Sequence, residues 1–182
     1  MIDDDICIEK LSSNILTKGF KCEHNDLTDF FFNDALPHQE KLLAVTNVLI
    51  KGDDIVAFYS VLNDKISIED VDSKSKWYKF VKYWGIKPKS YKSYPAVKIG
   101  RLGVDVKYKR TGIGTTILDY IEFTFITNNR TGCKFITLDA YNKEEVINFY
   151  RKNEFEFLTT KDEYSPTRLM YFDLMKVINS IK

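Results

Sequence analysis

Leu102-Gly103-Val104-Asp105-Val106-Lys107-Tyr108-Lys109-Arg110-Thr111-Gly112-Ile113-Gly114-Thr115 is the stretch that decides the fold. An apolar strand leads into a basic turn, and a pair of glycines opens the helix that follows. The two glycines let the backbone approach a ligand closely and adopt positive φ angles. The unpaired amides at the helix start and the helix dipole favour an anion at the same place. Because three basic side chains (Lys107, Lys109 and Arg110) add positive charge, the stretch predicts a phosphate or pyrophosphate cradle built mainly from backbone.

Two common phosphate-binding loops do not fit this stretch. A Walker A loop requires a lysine directly after its last glycine, and Gly114 is followed by threonine. The dinucleotide fingerprint requires a third glycine, and that place is taken by Ile117. From these residues alone, a glycine-rich strand-to-helix turn without a ligand remains the alternative.

The hydrophobic pattern along the chain predicts alternating strands and helices in the order β-α-β-β-(insert)-β-α-β-α-β-β. The helix after Cys22 is expected to be capped by Asn25 and to end or break at Pro37. The helix opened by the glycine pair buries Ile113, Ile117, Ile121 and Phe125 and ends at Asn128–Gly132. A third helix starts with Asn142 as its cap and places Val146, Phe149 and Tyr150 on its inner face. The strands are expected at Ile6–Leu11, Leu42–Ile50, Ile55–Leu62 (with Ile66–Ile68 extending the sheet), Ala96–Val104, Phe135–Leu138, Phe155–Leu158 and Arg168–Leu174.

An insert at about residues 69–94 interrupts this pattern. Its apolar residues Trp77, Phe80, Val81 and Trp84 have helical spacing, and the opposite face carries lysines. Gly85 and Pro88 are expected to close this helix. One interpretation is that the aromatic stripe packs on the body of the domain. The other is a basic, aromatic lip that holds phosphates and stacks on bases.

Charge is segregated along the chain. Residues 71–110 contain twelve basic and two acidic residues, which gives this segment +10 and leaves −9 for the remainder. Such segregation indicates either a polyanionic partner near one face or a solvated lysine-rich insert.

The remaining composition excludes several classes of protein. We expect one domain over residues 1–182, because this length suffices for a core and no repeat is present. No run of ~18 apolar residues occurs, and the acidic start at Met1–Asp5 is unlike a signal peptide, so a cytoplasmic protein is expected. The cysteines Cys7, Cys22 and Cys133 lack metal-ligand spacing and are expected to be reduced and buried. No metal is predicted.

Two motifs together resemble the GNAT superfamily of N-acetyltransferases. The segment Lys109–Gly114 is similar to the family's acetyl-CoA loop, Gln/Arg-x-x-Gly-x-Gly/Ala, with Lys109 in place of the usual Gln or Arg. The segment Asn148–Phe155 resembles the family's Phe-Tyr-x-x-x-Gly-Phe, with Glu154 in place of Gly. Asn153 is expected to turn the chain instead, since asparagine tolerates the left-handed conformation.

A finer resemblance is to the toxin-type GNATs of the TacT kind. Their Phe-x-Cys-x-x-x-x-Leu-x-x-Phe pattern is found at Phe20–Phe30. Their Gly-Arg-Leu-x-Val-Asp pattern is found at Gly100–Asp105, and their Asp-Ala pair after the fifth strand at Asp139-Ala140. Toxins of this kind acetylate the amino group of aminoacyl-tRNA and are restrained by a DNA-binding antitoxin.

The resemblance implies a mixed α/β GNAT fold, with a central, splayed β-sheet flanked by helices, and acetyl-CoA as the acetyl donor. The pantetheine is expected to pair with the backbone of Leu102, Gly103 and Val104. The pyrophosphate is expected on the loop residues Lys109, Arg110, Thr111, Gly112, Ile113, Gly114 and Thr115. Tyr150 is the candidate general acid that protonates the departing thiolate. The alternative is that Tyr150 is only an aromatic residue packed in the core. No carboxylate lies within the fourth strand, so the general base stays unassigned.

The acceptor is expected to be a primary amine, with the amino group of aminoacyl-tRNA as the first candidate. The candidate substrate-binding residues are Lys74, Lys76, Lys79, Lys82 and Arg101. A small-molecule amine or a protein amino group is the second candidate acceptor, and a binding module without catalysis is a third hypothesis. An antitoxin partner and a homodimer stay open, and no membrane association is expected.

Overall fold

The computed structural model describes residues 5–85, 91–127 and 130–181. Several predictions therefore lie outside the described residues. They are the acidic start before Asp5, two of the twelve basic residues of the 71–110 segment (Lys87 and Lys89), Pro88 as a helix stop, and the helix end at Asn128-Asn129.

Strands and helices alternate along the chain in the predicted order. The strands are β1 (Ile6–Lys10), β2 (Val45–Lys51), β3 (Asp54–Ser67), β4 (Ser93–Val104), β5 (Phe135–Tyr141), β6 (Glu156–Phe157) and β7 (Thr167–Asp173). The helices are α1 (Asn25–Asp29), α2 (Ala35–Glu40), α3 (Lys74–Tyr83), α4 (Ile113–Thr127), α5 (Glu144–Lys152) and α6 (Met175–Ile181).

The strands form one hydrogen-bonded sheet in the order β1-β2-β3-β4-β5-β7-β6. The pairs β1/β2, β2/β3, β5/β7 and β6/β7 are antiparallel, and the β2/β3 register shifts between Leu49 and Ile50. The predicted hairpin turn contains Gly52 at a φ of 58°. This open sheet with helices between its strands confirms the mixed α/β class.

The chain divides into two compact units. The first unit comprises the residues up to Leu62 together with Ile99–Thr124. Its core is aromatic: the ring of Phe31 lies 4.8 Å from that of Phe20 and 5.0 Å from that of Phe58. The helical stripe predicted for α4 also contributes, since Ile117 and Ile121 are fully buried.

The first helical region departs from the prediction at both ends. His24, and not Asn25, occupies the N-cap position of α1. The helix does not end at Pro37, because a π-turn at Phe30–Asp34 joins α1 to α2, which continues to Glu40. Proline is tolerated there because it lies in the first turn of α2. The following turn, with Leu42 at a φ of 59°, delays β2 to Val45.

The second unit comprises Asn63–Lys98 and the residues from Phe125 onward. Its core joins the aromatic stripe of α3 to the sheet: the Trp84 ring lies 4.4 Å from that of Phe135, and Trp77 stacks on Tyr94 at 5.5 Å. Gly85, at a φ of 72°, ends α3 as predicted. The interpretation that the aromatic stripe packs on the body of the protein is therefore confirmed.

Three further details of the second unit differ from the prediction. Lys143, and not Asn142, is the N-cap of α5, because the Asn142 side chain donates to the carbonyls of Glu163 and Ser165 instead. Asp139 and Ala140 lie within β5 rather than after it. The short helix α6 was not predicted, since seven residues are too few for a periodic pattern to decide.

The cysteines are free thiols in different surroundings. Cys22 is buried and Cys133 is half-buried, but Cys7 is exposed, so the prediction of buried thiols is wrong for Cys7. Within the described ranges, no helix is both long and apolar enough to cross a membrane.

Candidate active site

The end of β4 is fixed to the first segment of the chain by Asp105. Its two carboxylate oxygens accept separate backbone bonds, from the Lys21 amide at 2.8 Å and from the Lys107 amide at 2.9 Å. The second bond caps a short 3-10 helix at Val106–Tyr108. The Val106 amide also donates to the Lys21 carbonyl at 2.9 Å, and the Asp105 amide donates to the Val56 carbonyl of β3 at 2.9 Å. Asp105 therefore sets where the basic turn begins.

Cys22 connects two motifs that lie far apart in the sequence, Phe20–Phe30 and Gly100–Asp105. It forms an isolated β-bridge with Asp105, and its thiol donates to the Val104 carbonyl at 3.3 Å. Burial, with the nearby Asp105 charge, raises the pKa of the Cys22 thiol to about 12. Because this thiol stays protonated and is enclosed, it stabilises the strand end and is not a nucleophile.

Gly103 is required by close packing inside the first unit. A Cβ atom at this position would lie 2.6 Å from Cys22 Sγ and 2.7 Å from a ring carbon of Phe58. The neighbouring residues Leu102 and Val104 are half-buried. Gly103 was predicted to offer only its backbone to the cofactor, so its packing role is an addition.

The turn before α4 has the backbone expected of an anion cradle. Arg110 and Gly112 have φ angles of 64° and 89°. Gly114, by contrast, lies in the first turn of α4 and has helical backbone, so the prediction of a positive φ there is wrong. The first helical bond runs from the Thr116 amide to the Gly112 carbonyl at 3.1 Å, which leaves the amides of residues 113–115 ahead of it, as at any helix start. Thr111, Gly112 and Thr115 are exposed, so a ligand can reach this helix start.

Acidic side chains balance part of the positive charge of the turn. Lys109 forms an ion pair with Glu23, and Lys107 pairs with Asp54 at 3.3 Å. The bond from Lys109 is the main reason that the pKa of the Glu23 carboxyl is lowered. Tyr108 donates to Asp54 at 3.1 Å, which lowers the pKa of Asp54 and raises that of Tyr108. The prediction that the lysines simply add charge is therefore corrected: two of them are held by carboxylates.

Tyr150 lies in the second unit, at the end of α5. The Phe155 amide donates to the Tyr150 carbonyl at 3.0 Å and the Glu154 amide to the Arg151 carbonyl at 3.0 Å, which is the Schellman pattern. The rings of Phe149 and Phe155 lie 5.0 and 5.6 Å from the Tyr150 ring. Burial raises the pKa of the Tyr150 hydroxyl above its ordinary value.

Glu154 is the residue that turns the chain after α5. Its φ is 61°, whereas Asn153 has a φ of −95°, so the prediction that Asn153 takes the left-handed conformation is wrong. The Schellman pattern requires a positive φ at the residue after the cap, whichever side chain is there. The missing glycine of the motif is thus replaced by a strained glutamate, and the geometry of the turn is kept.

The candidate substrate lysines on α3 are not equivalent. Lys74, Lys79 and Lys82 are exposed, whereas Lys76 pairs with Asp72. The tryptophans of this helix are buried, so the interpretation that the aromatic stripe stacks on bases is wrong. Arg101 is exposed in the first unit, with its guanidinium 5.0 Å from the centre of the Phe30 ring.

Two carboxylates in the second unit were given no role in the site from the sequence, although one of them, Asp139, belongs to the Asp139-Ala140 motif. Asp64 on β3 accepts from the Thr137 hydroxyl at 2.5 Å, and Asp139 on β5 pairs with Lys98 on β4 at 2.6 Å. The sequence signal that could have identified both residues is a carboxylate inside a mostly apolar strand. Within residues 5–85, 91–127 and 130–181, no group of three His, Cys, Asp or Glu side chains is arranged to hold a metal.

Comparison with known proteins agrees with this geometry. Residues 72–157 match the model of the acetyltransferase (GNAT) domain. No protein of curated function matches the chain by sequence.

Solved structures share the fold of nearly the whole chain. A Tyr-to-Phe mutant of KacT has a TM-score of 0.77 at 16% identity, covering 97% of this chain and 99% of its own. AtaT complexed with acetyl-methionyl-tRNAfMet has a TM-score of 0.73 at 18% identity, covering 98% and 100%. AtaTR bound with acetyl-CoA has a TM-score of 0.75 at 20% identity, covering 99% and 100%. Residues 72–157 are therefore a GNAT acetyltransferase domain, set in a fold that nearly the whole chain shares with KacT and AtaT.

Proposed function

We propose that this protein transfers the acetyl group of acetyl-CoA to the amino group of an aminoacyl-tRNA. The observation that carries the proposal is the helix start of α4, whose exposed turn follows β4 directly within a GNAT domain. The solved complexes of AtaTR with acetyl-CoA and of AtaT with an acetylated aminoacyl-tRNA support the choice of both substrates.

The turn suits the diphosphate of acetyl-CoA. The amides of residues 113–115, ahead of the first helical bond, converge with the positive end of the α4 dipole on the exposed turn. Lys109, Arg110, Thr111 and Gly112 complete the loop, and the backbone of Leu102 to Val104 is offered to the pantetheine arm. Recognition through backbone explains why a lysine can stand where the family uses Gln or Arg.

The reaction needs little more than a positioned amine and a proton donor. The amine nitrogen attacks the thioester carbonyl, a C–N bond forms and the nitrogen gives up one proton. The C–S bond breaks and the thiolate takes one proton, so the products are an amide and free CoA thiol. Tyr150 is the proposed donor, because it is the tyrosine of the Phe149-Tyr150 pair in the GNAT-like segment; its hydroxyl is protonated near neutral pH, and burial raises its pKa further. An α-amine has a pKa near ~8, so its own proton is lost without a strong base.

The partners and setting are part of the same proposal. Lys74, Lys79, Lys82 and Arg101 are exposed and would attract the phosphates of tRNA. Lys76 is the weakest of the substrate-binding candidates, since Asp72 holds it. A protein antitoxin is proposed from the solved complexes of AtaT with AtaR and of KacTA with DNA. We further propose one domain over residues 1–182, with an insert at about 69–94, working in the cytoplasm.

The test is transfer of labelled acetyl from acetyl-CoA to purified aminoacyl-tRNA, with uncharged tRNA, spermidine and a lysine-rich protein as parallel acceptors. We expect label on charged tRNA and none on uncharged tRNA. Label on spermidine or protein alone would support the small-amine or protein-amine acceptor instead. Calorimetric titration with acetyl-CoA and with CoA separates an inactive enzyme from a module that does not bind the donor.

A further inference from the structure

The outward face of α3 combines basic and aromatic side chains. At about 100° per residue, Lys74, Tyr78 and Lys82 lie one above the other, and Lys79 and Tyr83 form a second row beside them. All five side chains are exposed, Tyr78 by 50% and Tyr83 by 77%. We call this set the Lys/Tyr face.

Packing does not require the tyrosines of the Lys/Tyr face. The opposite side of α3 already fills the core of the second unit with Trp77, Val81 and Trp84. Two large aromatic rings on the solvent side of a ten-residue helix therefore add apolar surface without adding to the core.

The charges at the start of α3 are also unfavourable for the helix itself. Lys74 and Lys76 lie in its first turn, where the helix dipole disfavours cations, and the helix contains no acidic residue. Asp72 offsets only Lys76, by pairing with it. Lysines in the first turn destabilise the helix, and their presence there indicates that they bind an anionic partner.

The start of α3, which carries the Lys/Tyr face, is fixed to a neighbouring segment by hydrogen bonds. Asp72 accepts from the Thr159 hydroxyl at 2.5 Å and from the Thr160 amide at 2.8 Å, so the start of α3 is tied to the segment after β6. The Ser73 hydroxyl accepts from the Lys76 amide and caps the helix. A rigid helix presents its side chains at fixed separations, which favours recognition over general attraction.

Alternation of lysine and tyrosine fits single-stranded nucleic acid best. Lysines neutralise phosphates, and exposed rings stack on bases that are not already paired. A duplex offers phosphates but keeps its bases stacked within the helix, and an acidic protein offers charges but no bases.

We propose that the Lys/Tyr face binds an unpaired RNA segment, with Tyr78 and Tyr83 stacking on bases and Lys74, Lys79 and Lys82 contacting phosphates. The inference rests on the proposed function, since the aminoacyl group of tRNA is carried on an unpaired 3′ end. The inference adds that the recognised RNA is unpaired, and it names the residues that bind it.

Binding of a fluorescent, unpaired RNA dodecamer tests the proposal, with the same sequence in a duplex for comparison. Replacing both tyrosines (Tyr78→Ser with Tyr83→Ser) should weaken single-strand binding by roughly tenfold or more, while Tyr78→Phe with Tyr83→Phe should retain it. Tyr164→Ser, at a tyrosine that is 95% exposed, is the matched control and should change nothing. Replacing the three lysines by glutamine should reduce the slope of log affinity against log salt by about 2.

Unchanged single-strand binding in the double serine variant would overturn the proposal, as would equal losses for duplex and single strand. Absence of RNA binding, with the lysines needed only to bind an acidic protein, would overturn it as well. Acetylation of charged tRNA is measured separately. If the enzyme acetylates tRNA but the tyrosine variants bind RNA normally, only this inference fails. If RNA binding depends on the tyrosines but no acetyl group is transferred, only the proposed function fails.

Discussion

The Lys21 amide donates to one carboxylate oxygen of Asp105 at 2.8 Å, across 84 residues of sequence. The other oxygen accepts from Lys107 at the start of the basic turn. One buried carboxylate thus joins the first segment of the chain to the turn proposed to hold the diphosphate.

Asp105→Ala should therefore weaken both stability and acetyl-CoA binding. Two backbone amides lose their acceptor, and because Lys21 and Lys107 are exposed, each lost hydrogen bond costs about 0.5–1.5 kcal/mol. Asp105→Ser should lose about half as much, because serine can still cap the Lys107 amide. Urea denaturation and calorimetric titration measure the two effects, and an alanine variant with the stability of the native protein would contradict the assignment.

Substitutions of three glycines by alanine should have different effects. Gly103→Ala places a methyl group 2.6 Å from Cys22 Sγ, so we expect a loss of about 1–3 kcal/mol in the free energy of unfolding. Gly112→Ala meets no atom within 4 Å but must keep a φ of 89°, so we expect the turn to shift and acetyl-CoA affinity to fall most. Gly132→Ala, in open space and without a positive φ, is the control. Equal effects at all three positions would show that the local geometry does not decide the outcome.

Glu154→Gly should stabilise the protein by about 1 kcal/mol. A left-handed conformation costs a side-chain-bearing residue roughly 1–2 kcal/mol, and the greater freedom of glycine in the unfolded chain offsets part of the gain. Glu154→Ala is the matched control, because alanine keeps the strain and removes only the carboxylate. A gain in the alanine variant equal to that in the glycine variant would assign the effect to charge rather than to backbone.

The fold class, the order of strands and helices along the chain and the glycine-containing turn before α4 could be predicted from the sequence because periodicity and glycine placement are local signals. Helix ends were less predictable. Pro37 fits inside a helical region because the π-turn before it alters the pairing, and Asn142 prefers the carbonyls of a distant loop to a cap. Both outcomes depend on tertiary partners that are not visible along the chain.

The sequence predicted the backbone turn of the candidate site, but it did not predict which carboxylates pair with the lysines of that turn. Nothing in the local pattern indicates that Glu23 and Asp54, more than fifty residues away from the turn in sequence, hold Lys109 and Lys107. Likewise, helical spacing along α3 separates Tyr78 and Tyr83 from the stripe that contains the two tryptophans, but only the structure shows how far the two tyrosine rings are exposed.

Glu23→Gln should strengthen acetyl-CoA binding severalfold at low salt. The substitution removes the carboxylate that pairs with Lys109, and the positive potential of the turn rises as a result. The gain should shrink as salt increases, because these side chains are solvent-exposed and screened. Titrations at two salt concentrations measure the effect, with Glu40→Gln as a control at another exposed glutamate of the same unit. Unchanged or weaker binding would mean that Glu23 holds Lys109 in its binding position.

Tyr150→Phe should lower kcat for acetyl transfer by about 10²–10⁴ while acetyl-CoA binding is retained. The ring contacts with Phe149 and Phe155 persist in the variant, so the protein should stay folded. In the native enzyme, activity should rise with pH as the acceptor amine loses its proton near ~8. It should fall only above the ordinary tyrosine pKa of 10.0, because burial raises the pKa of the Tyr150 hydroxyl and only the protonated form donates. Tyr164→Phe, at an exposed tyrosine, controls for the substitution. An unchanged kcat in Tyr150→Phe would remove this residue from the chemistry and leave it as a packing residue at the end of α5.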